Sequence, residues 1–268
     1  MRLDVFLAEK GLASSRERAK RLILSGGVTL DGKIADKPSL EVEGDPEITV
    51  REENFVGRGG EKLAAALSLF GASPKGCRAL DIGASTGGFT DCLLRKGARR
   101  VVALDAGFGQ LHPRLLADPR VISIERYNAR HLNRADVGRF DLAVMDVSFI
   151  SQTYILPQLG ELLYPHGRAI TLIKPQFEAG RAALNKNGLV KSPRDRIAAI
   201  RRVLGAAAEH GLTCQGVMPS PIKGGDGNEE FLAIFSLEGD PAQNLAMPIE
   251  KAVMEGVMVG ENSTHHKF

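Results

Sequence analysis

Residues 78–89 read Arg78-Ala-Leu-Asp-Ile-Gly-Ala-Ser-Thr-Gly-Gly-Phe89. A short apolar run, Ala79–Ile82, enters a glycine-rich turn and leaves it as helix-forming sequence. Glycines at 83, 87 and 88 let a ligand approach the backbone at a helix N-terminus. The next apolar run, Val101–Leu104, ends in Asp105, 24 residues after Asp81. A carboxylate there can hydrogen-bond the ribose of a nucleoside. The glycines do not follow the Gly-x-Gly-x-x-Gly spacing that cradles a pyrophosphate. S-adenosylmethionine, a nucleoside without a pyrophosphate, therefore suits the loop better than a dinucleotide. Alone, the same loop is also an ordinary tight β–α turn.

Working outward, further strand candidates are Val121–Ile124, Leu142–Met145, Ala169–Ile173, Cys214–Met218 and Phe231–Leu237. Helical patterns fall between them, most clearly at 61–70, 152–163 and 194–210. This alternation predicts an α/β fold with a mostly parallel sheet covered on both faces. Ligands of such sheets bind beyond the carboxyl ends of the strands. Asp146 directly follows Leu-Ala-Val-Met, and Lys174 directly follows Ile-Thr-Leu-Ile. Both charges should emerge at that rim, as a catalytic pair or as a salt bridge closing the sheet. Lys62, opening the first helix of this region, and Glu230, opening the last strand, are the next candidates.

The first fifty residues read differently. A short helix stops near Gly11, and Ser14 with Glu17 has capping-box spacing for a second helix that ends at Gly26-Gly27. Val28-Thr29-Leu30, Asp31-Gly32 and Lys33-Ile34-Ala35 read as a hairpin, with Ile48–Val50 as a further strand. The second helix carries Arg16, Arg18, Lys20 and Arg21, and Arg16 and Lys20 share a face at i and i+4. Residues 1–37 hold eight Lys or Arg against five acids, and residues 38–62 hold seven acids against three bases. The whole chain of 268 residues has a formal net charge of only +3, so the total hides a polarised N-terminal segment. A helix and hairpin carrying such charge suit the backbone of structured RNA, although a charge run is also an ordinary solvated face.

Composition bounds the rest. At 43% hydrophobic and 25% charged, the chain is of ordinary globular type. Cys77, Cys92 and Cys214 show neither zinc spacing nor a disulfide framework, as expected in a reducing cytoplasm. Asp4 and Glu9 interrupt the region where a signal peptide would need an apolar run. No uninterrupted apolar stretch reaches the ~18 residues of a membrane span. The tail after Gly260 is polar, and His265 and His266 read as a loose end rather than a metal site. A monomer is expected.

Arg2-Leu-Asp-Val-Phe-Leu, Ser15-Arg-Glu-Arg-Ala19, Ser25-Gly-Gly-Val28 and Asp31-Gly32 resemble the RNA-binding domain named after ribosomal protein S-four. Gly57-Arg-Gly-Gly-Glu-Lys62-Leu, Asp81–Asp91, Gly107-Phe-Gly-Gln-Leu111, Asp146-Val-Ser-Phe-Ile-Ser151, Lys174-Pro-Gln-Phe-Glu and Gly227-Asn-Glu-Glu230 resemble the FtsJ-like methyltransferase domain. The combination resembles the TlyA family, often labelled hemolysin A, over nearly the whole chain. The resemblance implies an S-four-type α+β domain at 1–52 and a linker at 53–61. It implies a Rossmann-like class I methyltransferase at 62–240, with a C-terminal helix and polar tail at 241–268. It further implies S-adenosylmethionine-dependent methylation of cytidine ribose 2′-OH groups in ribosomal RNA, free or in ribosomal subunits.

By motif match, the catalytic tetrad is Lys62, Asp146, Lys174 and Glu230. The cofactor would contact Asp81, Gly83, Ala84, Ser85, Thr86, Gly87, Gly88, Phe89, Asp105 and Asp146. RNA would contact Arg2, Arg16, Arg18, Lys20, Arg21, Lys33 and Lys37. Glu229 stands beside Glu230, but strand alternation sends the two to opposite faces, and the motif offset favours Glu230. A ribose hydroxyl is a weak acid and a poor nucleophile, so Lys174 is expected to accept or orient its proton. Asp146 would position that lysine, and Glu230 would orient Lys62 or bind the ribose edge. No metal is needed. Two other readings are a membrane-active hemolysin and a non-catalytic RNA-binding assembly factor. The absent membrane span opposes the first, and the intact charged set opposes the second.

Overall fold

The computed structural model describes residues 1–13, 15–24, 27–42, 44, 46–50, 55–237 and 248–262, without the side chains of Arg18, Arg21 and 256–262. The chain divides into two compact units, Met1–Asn54 and Phe55–Phe268.

In the first unit, helices α1 (Leu3–Glu9) and α2 (Arg16–Leu24) precede strands β1 (Val28–Leu30), β2 (Lys33–Ile34) and β3 (Ile48–Val50). The sheet order is β2-β1-β3, both pairings antiparallel. Asp31 and Gly32 have φ of 47° and 77° between paired Leu30 and Lys33. Positive φ at both turn residues gives the twist that a two-residue hairpin needs. Leu3, Leu7, Ala19, Ile23 and Val28 form the small core. Ser14, the expected N-cap of α2, lies outside the described residues.

Asp4, in the first turn of α1, is fully buried and accepts from Arg2 (3.0 Å) and Arg16 (2.9 Å). The Arg2 guanidinium, helped by Arg16 and opposed by burial, holds this carboxyl well below the usual range. A buried charge persists only when paired in this way.

The second unit contains helices α3 (Gly59–Leu69), α4 (Gly88–Arg95), α5 (Pro113–Leu116), α6 (Arg134–Val137), α7 (Leu156–Leu162), α8 (Pro175–Glu178), α9 (Pro193–Glu209) and α10 (Ile249–Asn262). Its strands are β4 (Arg78–Ile82), β5 (Arg100–Leu104), β6 (Val121–Ile124), β7 (Phe140–Met145), β8 (Leu163–Ile173), β9 (Thr213–Pro219) and β10 (Phe231–Ser236). The order is β6-β5-β4-β7-β8-β10-β9. The first five strands are parallel, and β10 is antiparallel to both of its neighbours. Chain order reverses beside β4, where the ligand crevice of such a sheet lies.

Two apolar layers cover the sheet. Phe140, Phe231 and Phe235 pack with α7 and α9 on one face, and Leu63, Leu93 and Ile170 pack with α3 and α4 on the other. Strands such as β10, buried at every position, need apolar residues on both sides.

One expectation is corrected. Residues 55–61 are part of the second unit rather than a free linker. Gly59 and Gly60 open α3, and a Cβ on Gly60 would sit 2.2 Å from the Phe55 ring. The missing side chain is where Phe55 packs. Val56 N donates to Asp91 at 2.8 Å, and the Arg95 guanidinium lies 5.3 Å from the Phe55 ring centroid. Residues 53 and 54 lie outside the described set, as do 238–247 and the tail from 263, including both histidines.

Candidate active site

The β4–α4 turn forms one wall of a cavity of about 210 Å³. Gly83, Ala84, Ser85, Thr86, Gly88 and Phe89 supply this wall, and Gly59, Asp146, Ser148 and Lys174 supply the remainder. Gly83 has φ +83°, and a Cβ there would meet the Asp146 carbonyl oxygen at 2.4 Å. Backbone closes on backbone here, so no side chain can be admitted. Gly83→Ala should cost more than about 1 kcal/mol of stability, because Ala at positive φ adds strain to the clash. It should also abolish binding of the methyl donor. Thermal unfolding with a donor titration checks both, and wild-type binding would show that the loop yields.

Gly87, at φ +96°, is packed against Leu111 and Leu115 and does not line the cavity. Asp81 is also set back. It is fully buried below the loop and accepts from Thr90 Oγ1 at 2.6 Å. Burial pushes its carboxyl up to about 7 against that hydrogen bond, and the nearby Asp146 charge adds to the rise. Its Oδ1 is buried without a hydrogen-bond partner. Asp105 closes β5, accepting from Ser85 N (2.8 Å) and Gly107 N (2.7 Å). It lines a narrow second cleft with Gln110 and Glu125 that shares Ala84 and Ser85 with the first.

These features fit a methyl donor with an amino-acid end and a nucleoside end. The glycine wall and α4 N-terminus favour a carboxylate, and Asp105 suits a ribose. Asp81, Gly83–Phe89 and Asp105 thus lie at or directly beneath one surface, with Asp81 and Gly87 as supports.

The four charged residues at the rim form two pairs. Lys174 Nζ lies 2.7 Å from Asp146 Oδ1 and donates to Ser148 Oγ at 2.7 Å. Asp146 and Lys174 directly follow the adjacent parallel strands β7 and β8. Lys62 Nζ donates to Glu230 Oε2 in a contact where both side chains are buried. Lys62 lies one turn into α3 from Gly59, whose Cβ position is 3.8 Å from Asp146 Oδ2. Antiparallel β10 pairs Phe231 with Ile173, so the register continued by one residue sets Glu230 opposite Lys174. Glu229 turns away and pairs with Arg196 at 3.0 Å.

Sequence reading missed Ser148, Gly59 and Phe149. Phe149 is 92% exposed at φ +64° and packs against Phe177, ring centroids 5.4 Å apart. Its signal was available: an aromatic residue between Asp146 and the next helix, three residues past a strand-end acid.

Of the expected RNA contacts, Lys33 and Lys37 are exposed and Lys20 is half-buried. Arg2 and Arg16 are partly exposed but held by Asp4. Arg18 and Arg21 lie in α2, with side chains outside the description. Among the described residues, no helix is long and apolar enough to cross a membrane.

A doubly wound sheet with a glycine turn at its switch point and lysine–carboxylate pairs at its strand ends defines a class I methyltransferase. Residues 55–237 match the FtsJ-like methyltransferase model, and residues 1–48 match the S4 domain. The Bacillus subtilis protein YqxC is 43% identical over 93% of this chain and 90% of its own. The Mycobacterium tuberculosis 16S/23S rRNA (cytidine-2′-O)-methyltransferase TlyA is 41% identical over 95% of this chain and 98% of its own. A solved Streptococcus thermophilus structure bearing the name hemolysin has 38% identity and a TM-score of 0.76, covering 99% of this chain and 98% of that one. The chain belongs to the FtsJ-like methyltransferase family and, within it, to the TlyA proteins.

Proposed function

We propose that this protein transfers the methyl group of S-adenosylmethionine to the ribose 2′-OH of cytidine in ribosomal RNA. The observation carrying the reading is the Lys174–Asp146 pair at the mouth of the glycine-walled cavity. When bound, the donor supplies an electrophilic sulfonium methyl. The chain's part is alignment and proton handling. Lys174 Nζ, beside the Asp146 carboxylate and donating to Ser148, is placed to accept or orient the hydroxyl proton. Methylation then leaves the proton on Nζ, facing the Asp146 carboxylate. Lys62 and Glu230 hold the far side of the acceptor, and much of the rate gain comes from orientation.

Phe149 and Phe177 offer an aromatic face at the mouth, suited to a base drawn out of its stack. Lys20, Lys33 and Lys37 on the first unit suit RNA phosphates. Action on ribosomal RNA would place this chain in the cytoplasm.

The test is transfer of labelled methyl groups to naked rRNA, separate subunits and whole ribosomes, with mapping of the modified ribose. Label on a cytidine 2′-oxygen is expected. Label on a base, or none on any of the substrates, would overturn the reading, and a liposome leakage assay separates it from membrane lysis.

A further inference from the structure

Strand β10 is buried at every position from Phe231 to Ser236. Its apolar pattern therefore says little about register, yet a slip of one residue would exchange every side chain between faces. Two adjacent acids, Glu229 and Glu230, stand at its entrance. Such a slip would present Glu229 to Lys62 instead of Glu230. Something other than alternation must choose between them.

The structure holds a second buried cation at this point. Arg196, in the first turn of α9, is 6% exposed and pairs with Glu229 at 3.0 Å. It also donates to the Val190 carbonyl at 3.4 Å. Asn228, itself buried, accepts from Val190 N (3.1 Å) and donates to Gly188 O (3.1 Å). The residues immediately before β10 are thus tied to the same segment that Arg196 grips. Glu230 faces the other way, onto Lys62. Gly224 keeps that side clear, since a Cβ there would lie 2.5 Å from Glu230 Oε1.

We propose that Arg196 is a positioning residue for methyl transfer: by holding Glu229 it selects Glu230 as the partner of Lys62. The proposal rests on the reading of the Lys62–Glu230 pair given above. Removing Arg196 leaves Glu229 as a half-buried carboxylate without its cation. Lys62 is the neighbouring cation for which it can compete. The resulting slip displaces Glu230 and distorts the rim beside Lys174. Neutralising Glu229 as well removes the competitor, so the second substitution repairs the first.

The experiment compares Arg196→Met with the double variant Arg196→Met/Glu229→Leu. Turnover, KM for S-adenosylmethionine and thermal unfolding are measured on the full chain. Arg196→Met should lower kcat by about 100-fold, as misalignment near reacting atoms does, with KM for the donor little changed. The double variant should recover most of that loss. If Arg196→Met does not fold, Arg196→Gln against Arg196→Gln/Glu229→Gln carries the same comparison, with the same order expected. Wild-type kcat in the single variant overturns the proposal. So does a folded double variant no faster than the single one, because Arg196 would then be a structural support alone. Glu230→Gln separates the levels: if it keeps full activity, the underlying reading of the pair fails. If it is inactive while Arg196→Met is not, only this inference fails.

Discussion

Lys174→Ala should abolish methyl transfer while leaving S-adenosylmethionine binding within a few-fold of wild type. The two halves of this result come from different parts of the site. On the proposed reading the donor would be held by the glycine wall, the α4 N-terminus and Asp105, none of which bonds Lys174. Lys174 instead directly follows β8, as the last residue before Pro175, held by Asp146 and Ser148. On the same proposed reading, removing Nζ takes away the proton acceptor and the group that aims the hydroxyl. Each of these effects is worth orders of magnitude, about 10²–10⁴-fold for the proton transfer alone. Equilibrium dialysis and labelled-methyl transfer on the same preparation separate the halves. Near-wild-type turnover would remove Lys174 from the chemistry. Loss of donor binding together with turnover would mean that Lys174 mainly shapes the cavity.

The parallel part of the sheet was legible because its strands contain short apolar runs, although β8 extends back through polar residues to Leu163. The first charge after such a run has to emerge at the strand end. That simple rule finds both Asp146 and Lys174. The glycine turn was legible for a similar reason, as residues 83, 87 and 88 leave room that only backbone can use. Pairing across the chain was less legible. Lys62 and Glu230 are separated by 168 residues, and only the antiparallel insertion of β10 between β8 and β9 brings them together. Gly59 and Gly60 read as a linker because glycine disfavours helix. Tertiary contact outweighs that local preference, since the two missing side chains accommodate Phe89 and Phe55. Arg196 follows Arg194 in an arginine-rich helix start, and only the fold, through burial and the pair with Glu229, distinguishes it.

On the first unit, charge reversal at Lys20 and Lys33 should weaken RNA binding and lower the slope of log affinity against log salt by about 2, one for each lost phosphate contact. The sequence pattern would choose Arg16 with Lys20, as neighbours on α2. Asp4 makes Arg16 a poor choice. Its guanidinium lies 2.9 Å from that fully buried carboxylate. A glutamate at 16 would set two acids together and unfold the unit through lost pairing. Weaker RNA binding in that variant would then be uninterpretable as a loss of phosphate contacts. Lys33 is exposed on the hairpin, and neither Lys20 nor Lys33 has a salt bridge among the described residues. Lys20→Glu/Lys33→Glu should therefore keep the thermal midpoint of wild type. Its affinity for rRNA, titrated from 50 to 200 mM salt, should fall at every concentration and most at the lowest. The methyl-transfer rate at saturating RNA should stay at the wild-type level, because neither lysine belongs to the second unit. Unchanged affinity and slope would make the basic helix and hairpin a solvated face, and recognition would then have to reside in the catalytic unit.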